Sequence, residues 1–188
     1  MSAAQSIRVA ILGAESSGKS TLAAALAARY ETLWVPEFLR EFVETRQRVP
    51  QEGEQFFIAS TQVERERAAA ARAGKYLFCD TTPLMTALYS RSCFGRIDAP
   101  LAALTASHVY DITLVTAPDC PWVADGLQRM SESVRQSIHQ QLLHELEARA
   151  VRFVLVEGPL PQRLLQIERL LSGGQGPAAP RNRTVPIP

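Results

Sequence analysis

The stretch Gly13–Ser20, which reads GAESSGKS, combines residue types that bind phosphate groups. Two glycines let the backbone come close to a ligand, a lysine supplies a mobile positive charge, and a serine hydroxyl is a ligand for Mg²⁺. The pattern G-x-x-x-x-G-K-[ST] is typical of loops whose backbone N–H groups surround the phosphates of a nucleoside triphosphate. An apolar run, IRVAIL, precedes the loop and a helical pattern, TLAAALAARY, follows it, as the motif requires.

We therefore predict that this loop binds ATP or another nucleoside triphosphate together with Mg²⁺. Lys19 is expected to bridge the β- and γ-phosphates, and Ser20 to offer its hydroxyl to the metal ion. The candidate phosphate-binding residues are Gly13, Ala14, Glu15, Ser16, Ser17, Gly18, Lys19, Ser20 and Thr21.

Two carboxylates follow predicted strands and are candidates for the remaining chemistry. Asp80 comes directly after the run YLFC, where a second carboxylate near Mg²⁺ is expected. Glu37 follows LWVP and could accept the proton of an attacking hydroxyl. Because ligands of open α/β sheets collect at the carboxyl ends of the strands, both carboxylates are predicted to face one site. Which of them takes the proton stays open at this point.

Each of these residues also has a plainer interpretation. Asp80 could be the N-cap of a helix that starts at Pro83, and Glu37 could be a solvated carboxylate at a helix start. Arg40 lies one turn after Glu37, so it could bind the substrate or form a surface pair with Glu37.

The segment 118–135 is predicted to form a small lid over the phosphates. Its cations, Arg129 and Arg135, would neutralise charge on the transferred group. Trp122 could stack on an aromatic substrate or fill the core, and Asp125 could contact the substrate or belong to a turn with Gly126.

Five short apolar runs predict the strands that position these residues. They are Ile7–Leu12, Leu33–Val35, Tyr76–Cys79, Ile112–Thr116 and Phe153–Val156. Helical patterns lie between them, so the fold class is predicted to be α/β: a three-layer α/β/α P-loop NTPase fold with a five-stranded parallel sheet.

The helical patterns carry boundary signals of their own. Gly53–Arg72 is predicted to be a helix stopped by Gly74, and a last helix is predicted over Gln162–Leu171. The helix that buries Val134, Ile138, Leu142 and Leu146 is predicted to open with a capping box of Ser133 and Gln136. Residues 1–174 are predicted to form one domain, followed by a disordered Pro-rich tail over 175–188.

Composition narrows the function classes. A formal net charge of +1 argues against nucleic-acid binding, and no apolar run is long enough to span a bilayer. Three cysteines without a CxxC motif and an N-terminus without a signal pattern favour the reducing cytoplasm. The three histidines lack metal-binding spacing, and the number of chains in the assembly stays open. Because NKxD and DxxG motifs are absent, a small-molecule kinase is favoured over a switch GTPase.

Several motifs together resemble one known family. GAESSGKSTL, then Glu37 and Arg40, FCDTT and the unusual run PWVADGLQR resemble the ribosylnicotinamide kinase domain of the bacterial NadR proteins. The resemblance runs from about Ile7 to Leu171 and implies a nucleoside monophosphate kinase-like fold. It implies phosphorylation of the 5′-hydroxyl of nicotinamide riboside with ATP and Mg²⁺. It also implies that Gly13–Thr21 hold the phosphates and that Asp80 lies beside the metal ion and the acceptor hydroxyl.

The sequence departs from full-length NadR proteins, because it contains neither an adenylyltransferase HxGH signature nor a helix-turn-helix domain. A free-standing kinase is therefore expected. Two alternatives stay open. The first is a deoxynucleoside or nucleotide kinase, because VPE also resembles the base-bearing stretch of deoxynucleoside kinases. The second is a nucleotide-binding regulatory ATPase.

Overall fold

The computed structural model describes residues 6–121 and 131–173. Their five strands are all parallel and lie in the order β2-β3-β1-β4-β5. The strands are β1 (Ile7–Leu12), β2 (Leu33–Val35), β3 (Tyr76–Asp80), β4 (Ile112–Thr116) and β5 (Val154–Val156). The predicted α/β class and the five-stranded parallel sheet are thus confirmed, with β3 one residue longer and β5 one residue shorter than predicted.

Helices link the strands and cover both faces of the sheet. In the described ranges they are α1 (Lys19–Arg29), α2 (Phe38–Arg46), α3 (Gln55–Ala70), α4 (Pro83–Phe94), α5 (Ala99–Ser107), α6 (Glu132–Ala148) and α7 (Leu160–Ser172), with a 3₁₀ turn over Glu52–Glu54. None of these helices combines the length and the apolar character that crossing a membrane demands.

Successive residues of β1 explain the three layers. Val9 and Ile11 pack with α1 and α7, whereas Ala10 and Leu12 pack with α4 and α6. Side chains of a strand alternate between the two faces of a sheet, so both faces of β1 are apolar and buried. The central strand is therefore rigidly held, and the loop that follows it starts from a fixed point.

Two predicted helix boundaries were wrong. Helix α6 is capped by Ser131, whose Oγ accepts a hydrogen bond from the N–H of Val134 (3.2 Å), so the predicted capping box at Ser133 is not formed. Helix α3 ends at Ala70, before Gly74. The N–H of Gly74 instead donates to Oγ1 of Thr32 (2.9 Å), which serves the packing of the loop before β3.

A buried histidine of α6 predicts acid sensitivity of the fold. Burial lowers the pKa of His139, and the charge of Glu157 opposes this effect only in part. The unfolded chain therefore takes up a proton at a higher pH than the folded protein, and the contribution of His139 to the free energy of unfolding should fall as the pH drops below about 6.5.

Replacement of this side chain, His139→Gln, should flatten that pH dependence. The measurement is urea unfolding at about pH 7.5 and about pH 5.5. His144→Gln is the matched control, because His144 is exposed on the same helix. A His139→Gln variant that loses as much stability in acid as the wild type would contradict the prediction.

Candidate active site

The loop between β1 and α1 has the geometry of an anion site. Helix α1 begins at Lys19, and Gly18 before it adopts the left-handed conformation (φ 82°). Ser16 also has a positive φ of 53°, which is uncommon outside glycine. The start of a helix exposes backbone N–H groups and the positive end of the helix dipole, so it attracts phosphate groups.

Hydrogen bonds inside the loop hold it against the end of β4. Oγ of Ser17 donates to the carbonyl of Ala14 (2.7 Å) and lies 2.6 Å from Oγ1 of Thr116. Thr116 in turn donates to the carbonyl of Leu12 (3.1 Å). These contacts are buried, so the loop is shaped before a ligand arrives. Thr116 was not among the predicted site residues, because its role depends on strand order.

Gly13 lies where any larger residue would collide. A Cβ at Gly13 would be 2.2 Å from Oγ1 of Thr116 and 2.7 Å from Oγ of Ser17, and φ is 150°. We expect Gly13→Ala to lower the thermal midpoint and to weaken nucleotide binding, since the loop must shift away from Thr116. Gly53→Ala is the matched control, because no atom lies within 4 Å of the Cβ position there. Equal melting temperatures and equal ADP affinity for the two variants would contradict this expectation.

The predicted lysine and serine lie at the start of α1. Nζ of Lys19 donates to the carbonyl of Ala14 (3.0 Å), and Oγ of Ser20 donates to Oδ2 of Asp80 (2.6 Å). The carboxylate of Asp80, at the end of β3, thus contacts the serine of the phosphate loop, as the sequence predicted. Parallel pairing of Ile11 with Asp80 explains the meeting, because it brings the ends of β1 and β3 side by side.

Asp80 is fully buried and carries an unusual proton affinity. Burial raises its pKa to about 6; the positive charge of Lys19 opposes the shift, and the negative charge of Glu37 adds to it. Its Oδ1 has no hydrogen-bond partner among the described residues. A buried carboxylate oxygen without a partner, next to a serine hydroxyl, fits a hard cation such as Mg²⁺.

The helix-cap interpretation of Asp80 was wrong. The N-cap of α4 is Thr82, and Asp80 is the last residue of β3. Thr81 between them has a φ of 72°, a strained conformation for a β-branched residue. Its N–H donates to the carbonyl of Ile11 (3.1 Å), and its Oγ1 donates to Oε1 of Glu37 (3.2 Å).

Glu37 and Arg40 face the same cavity as the phosphate loop. Glu37 is the N-cap residue of α2, yet its side chain makes no capping hydrogen bond and points to Thr81 instead. Its carboxylate is partly exposed on the cavity wall, whereas that of Asp80 is buried behind the wall. A substrate hydroxyl in the cavity would therefore reach Glu37 first.

The cavity has a volume of about 810 Å³, which is enough for a nucleotide and a small acceptor. One end is formed by the phosphate loop and the other is apolar. The apolar walls are Leu39, Val43, Val49, Pro50, Met85 and Phe94. Met85, Tyr89 and Cys93 line it from one face of α4, and their spacing of four residues was a signal that the sequence analysis did not use.

Tyr89 connects the apolar end to the phosphate loop. Its hydroxyl accepts a hydrogen bond from the N–H of Glu15 (3.2 Å) and donates to Oε2 of Glu15 (2.9 Å). Burial raises the pKa of Tyr89 well above its ordinary value, and the charge of Glu15 adds to the shift, so the hydroxyl stays protonated. The apolar end and the phosphate-loop end of the cavity therefore share one rigid contact.

The predicted lid cations are placed differently. Arg135 is buried and does not line the cavity; its guanidinium donates to the carbonyls of Pro118 (2.6 Å) and Cys120 (2.9 Å). The guanidinium is thus held by backbone carbonyls, and its contact with the transferred group stays a prediction. Trp122, Asp125 and Arg129 lie outside the described residues.

The family model described as an AAA domain (AAA_28) matches residues 8–163. The trifunctional NAD biosynthesis/regulator protein NadR of Escherichia coli (strain K12) is 34% identical over an alignment of 154 residues, and the match covers 79% of this chain and 38% of that protein. The chain thus spans well under half the length of this curated relative. The match confirms the resemblance that the motifs indicated.

Solved structures support the same fold. NadR protein in complex with NR matches 93% of this chain and 54% of its own, with a TM-score of 0.72 and 18% identity. NadR protein in complex with NAD and AMP-PNP matches 93% of this chain and 52% of its own, with a TM-score of 0.70 and 17% identity.

Proposed function

The chain belongs to the AAA_28 family of AAA domains, and from this premise we propose that it is a kinase. Its proposed reaction transfers the γ-phosphoryl group of ATP to the 5′-hydroxyl of nicotinamide riboside. The observation that carries the proposal is that the phosphate loop, Glu37 and an apolar chamber line the same cavity. The NadR relative, whose name includes NAD biosynthesis, supports this choice of acceptor.

The phosphate loop supplies the binding site for the triphosphate. Backbone N–H groups between Gly13 and Ser20 and the start of α1 attract its oxygens, and Lys19 provides the mobile charge. Nζ of Lys19 donates to the carbonyl of Ala14, and in the proposed complex it would bind the β- and γ-phosphates instead. The AMP-PNP bound in a NadR structure supports ATP as the donor.

Ser20 and Asp80 would hold Mg²⁺, which supplies positive charge to the phosphate oxygens when it is bound. The orphaned Oδ1 of Asp80 supports this assignment, since a buried carboxylate oxygen without a partner is costly. The hydrogen bond from Ser20 orients the carboxylate of Asp80 toward the phosphate loop.

The apolar end of the cavity would take the base of the acceptor nucleoside. Met85 and Phe94 offer flat and adaptable surfaces there, and they exclude water from the reacting hydroxyl. Arg40 on the wall is proposed to bind the acceptor. Trp122 and Asp125 are retained as proposed acceptor contacts, and Arg129 as the proposed lid cation.

Glu37 is the proposed proton acceptor. The 5′-oxygen attacks the γ-phosphorus, its proton passes to the carboxylate of Glu37, and the bond between the γ-phosphorus and the bridging oxygen breaks, which leaves ADP. The hydrogen bond from Thr81 fixes one carboxylate oxygen and leaves the other for the substrate. Because the transition state of phosphoryl transfer is loose, positioning and charge contribute more than the strength of the base.

A nucleoside panel tests the proposal. Purified protein is incubated with radiolabelled ATP, Mg²⁺ and one acceptor at a time: nicotinamide riboside, thymidine, deoxycytidine or none. We expect the highest kcat/KM for nicotinamide riboside and formation of nicotinamide mononucleotide, because the 34% identical relative is a NAD biosynthesis protein. The reaction is proposed to take place in the cytoplasm and to need no nucleic-acid partner.

Two results would contradict the proposal. A preference for thymidine or deoxycytidine would assign the chain to the deoxynucleoside kinases. Rapid ATP hydrolysis that no acceptor accelerates would assign it to the regulatory ATPases.

A further inference from the structure

A buried arginine of α7, Arg163, contacts the outer side of the phosphate loop. Its Nη1 donates to the carbonyl of Ser17, its Nε donates to the carbonyl of Gly158 (2.7 Å), and its Nη2 donates to the carbonyl of Ala117 (3.1 Å). Its Nη2 also forms an ion pair with Asp119. One guanidinium therefore joins the phosphate loop to the segments that follow β4 and β5.

This contact determines where one amide of the loop points. All peptide bonds of the described residues are trans, so a carbonyl and the N–H of the next residue point in opposite directions. Since the carbonyl of Ser17 points to Arg163, the N–H of Gly18 points away from it. Gly18 also lines the cavity, so an N–H that points away from Arg163 is available to a phosphate bound there.

Only a planar guanidinium can make this set of contacts. Arg163 is 2% exposed, and its donors are directed to three carbonyls and one carboxylate in fixed directions. A lysine at this place would keep the charge but could not span the same acceptors. Asp119 compensates the buried charge and also accepts the N–H of Gly158 (2.6 Å), so the junction is rigid.

A second arginine supports the same region from α6. Arg135 holds the carbonyls of Pro118 and Cys120, and its Nη1 lies 3.5 Å from the carbonyl of Ser16. The backbone from Ala117 to Cys120 is thus fixed from two helices. Arg163 makes the closer contact with the phosphate loop, so it is the residue to test.

We propose that Arg163 is a positioning residue for the nucleotide: it orients the amide of Gly18 through the carbonyl of Ser17 and does not touch the nucleotide itself. The inference rests on the proposed function, because it names a further residue of the same phosphate site. A positioning role of this kind affects the affinity for ATP and ADP and leaves the acceptor site unchanged.

The test is calorimetric titration of Arg163→Lys with ADP and with a non-hydrolysable ATP analogue in the presence of Mg²⁺. We expect both nucleotides to bind about tenfold more weakly, because one well-aligned hydrogen-bond donor is lost. The KM for the acceptor should stay within about twofold of the wild type. Arg29→Lys is the matched control: Arg29 pairs with Glu168 of the same helix α7 but lies away from the loop. It is expected to bind ADP as the wild type does.

A second variant separates positioning from general damage to the fold. Arg163→Ala is expected to lose nucleotide affinity, and guanidinium at millimolar concentration, far below denaturing levels, is expected to restore part of it. Methylammonium at the same concentration should not restore it, because it lacks the planar set of donors.

The inference is overturned if Arg163→Lys binds ADP within about twofold of the wild type, or if methylammonium restores Arg163→Ala as well as guanidinium does. The proposed function fails by a different result, a wild type that binds ADP tightly yet transfers no phosphoryl group to nicotinamide riboside.

Discussion

Replacement of Lys19 by methionine is expected to lower kcat by about a thousandfold or more, since it removes a charge that acts on the transferred group in the transition state. Methionine keeps the length of the side chain and removes only the ammonium group. Among the described residues this ammonium group donates to the carbonyl of Ala14, so the fold should tolerate its loss. The measurement is steady-state kinetics with ATP and nicotinamide riboside, with the thermal midpoint recorded in parallel.

Lys75→Met is the matched control, because Lys75 is the only other lysine of the chain. Its Nζ lies over the ring of Tyr76, 5.1 Å from the ring centroid and at the opposite end of β3 from Asp80. This variant should keep the turnover of the wild type. A Lys19→Met enzyme with wild-type kcat would remove the phosphate loop from the mechanism.

Replacement of Asp80 by asparagine is expected to stabilise the metal-free protein while it strongly lowers turnover. Burial raises the pKa of Asp80 to about 6, so the folded protein holds its proton over a range of pH in which the unfolded chain has released it. The contribution of Asp80 to the free energy of unfolding therefore falls as the pH rises from about 4 to about 6, and the penalty is complete above that range. Asparagine removes the charge and keeps an oxygen that accepts the hydrogen bond from Ser20.

The expected gain in the free energy of unfolding is up to about 3 kcal/mol at pH 8 without Mg²⁺, from a pKa shift of about two units. The expected loss of kcat is about a thousandfold, because the proposed metal ligand is missing. Urea unfolding in the presence of a chelator measures the first effect, and the kinase assay measures the second.

Glu37→Gln is the comparison that separates the two carboxylates. Because Glu37 is partly exposed, its replacement should change stability by less than about 0.5 kcal/mol. It should nevertheless lower kcat by about a hundredfold, the smaller effect expected for a proton acceptor. A metal-free Asp80→Asn variant that is less stable than the wild type at pH 8 would show that the buried, charged carboxylate does not destabilise the fold.

Much of this architecture could be predicted because local patterns decide it. The apolar runs are local patterns, and they predicted the strands with errors of at most one residue at the strand ends. The spacing of Gly13, Gly18 and Lys19 is also local, and it predicted the phosphate loop between β1 and α1. Asp80 was predicted to lie near the phosphate loop because neighbouring parallel strands end at the same edge. Caps were less predictable, because Ser131 and Ser133 are equivalent by residue type and packing chooses between them.

The residues that were not predicted depend on contacts between distant parts of the chain. Arg163 lies 146 positions after Ser17, and Tyr89 lies 74 positions after Glu15. A surface arginine and a buried one have the same letter in the sequence, and no local pattern distinguishes them. Arg135 illustrates the reverse case: its place in the segment suggested a free cation, whereas burial at the start of α6 directs it to backbone carbonyls.

The apolar walls of the cavity and the contacts behind the phosphate loop come from different parts of the chain, and this separation affects how acceptor preference can change between homologues. The chamber opposite the phosphate loop is built from α2, α4 and the connection between α2 and α3, whereas the contacts that brace the loop from behind come from β4 and from residues after it. Exchange of residues 39–55 between homologous enzymes would therefore replace one wall of the proposed acceptor chamber as a block. Asp80, Thr116 and Arg163 would remain in place, so a new acceptor preference could arise in a single step while the contacts around the triphosphate site are inherited unchanged.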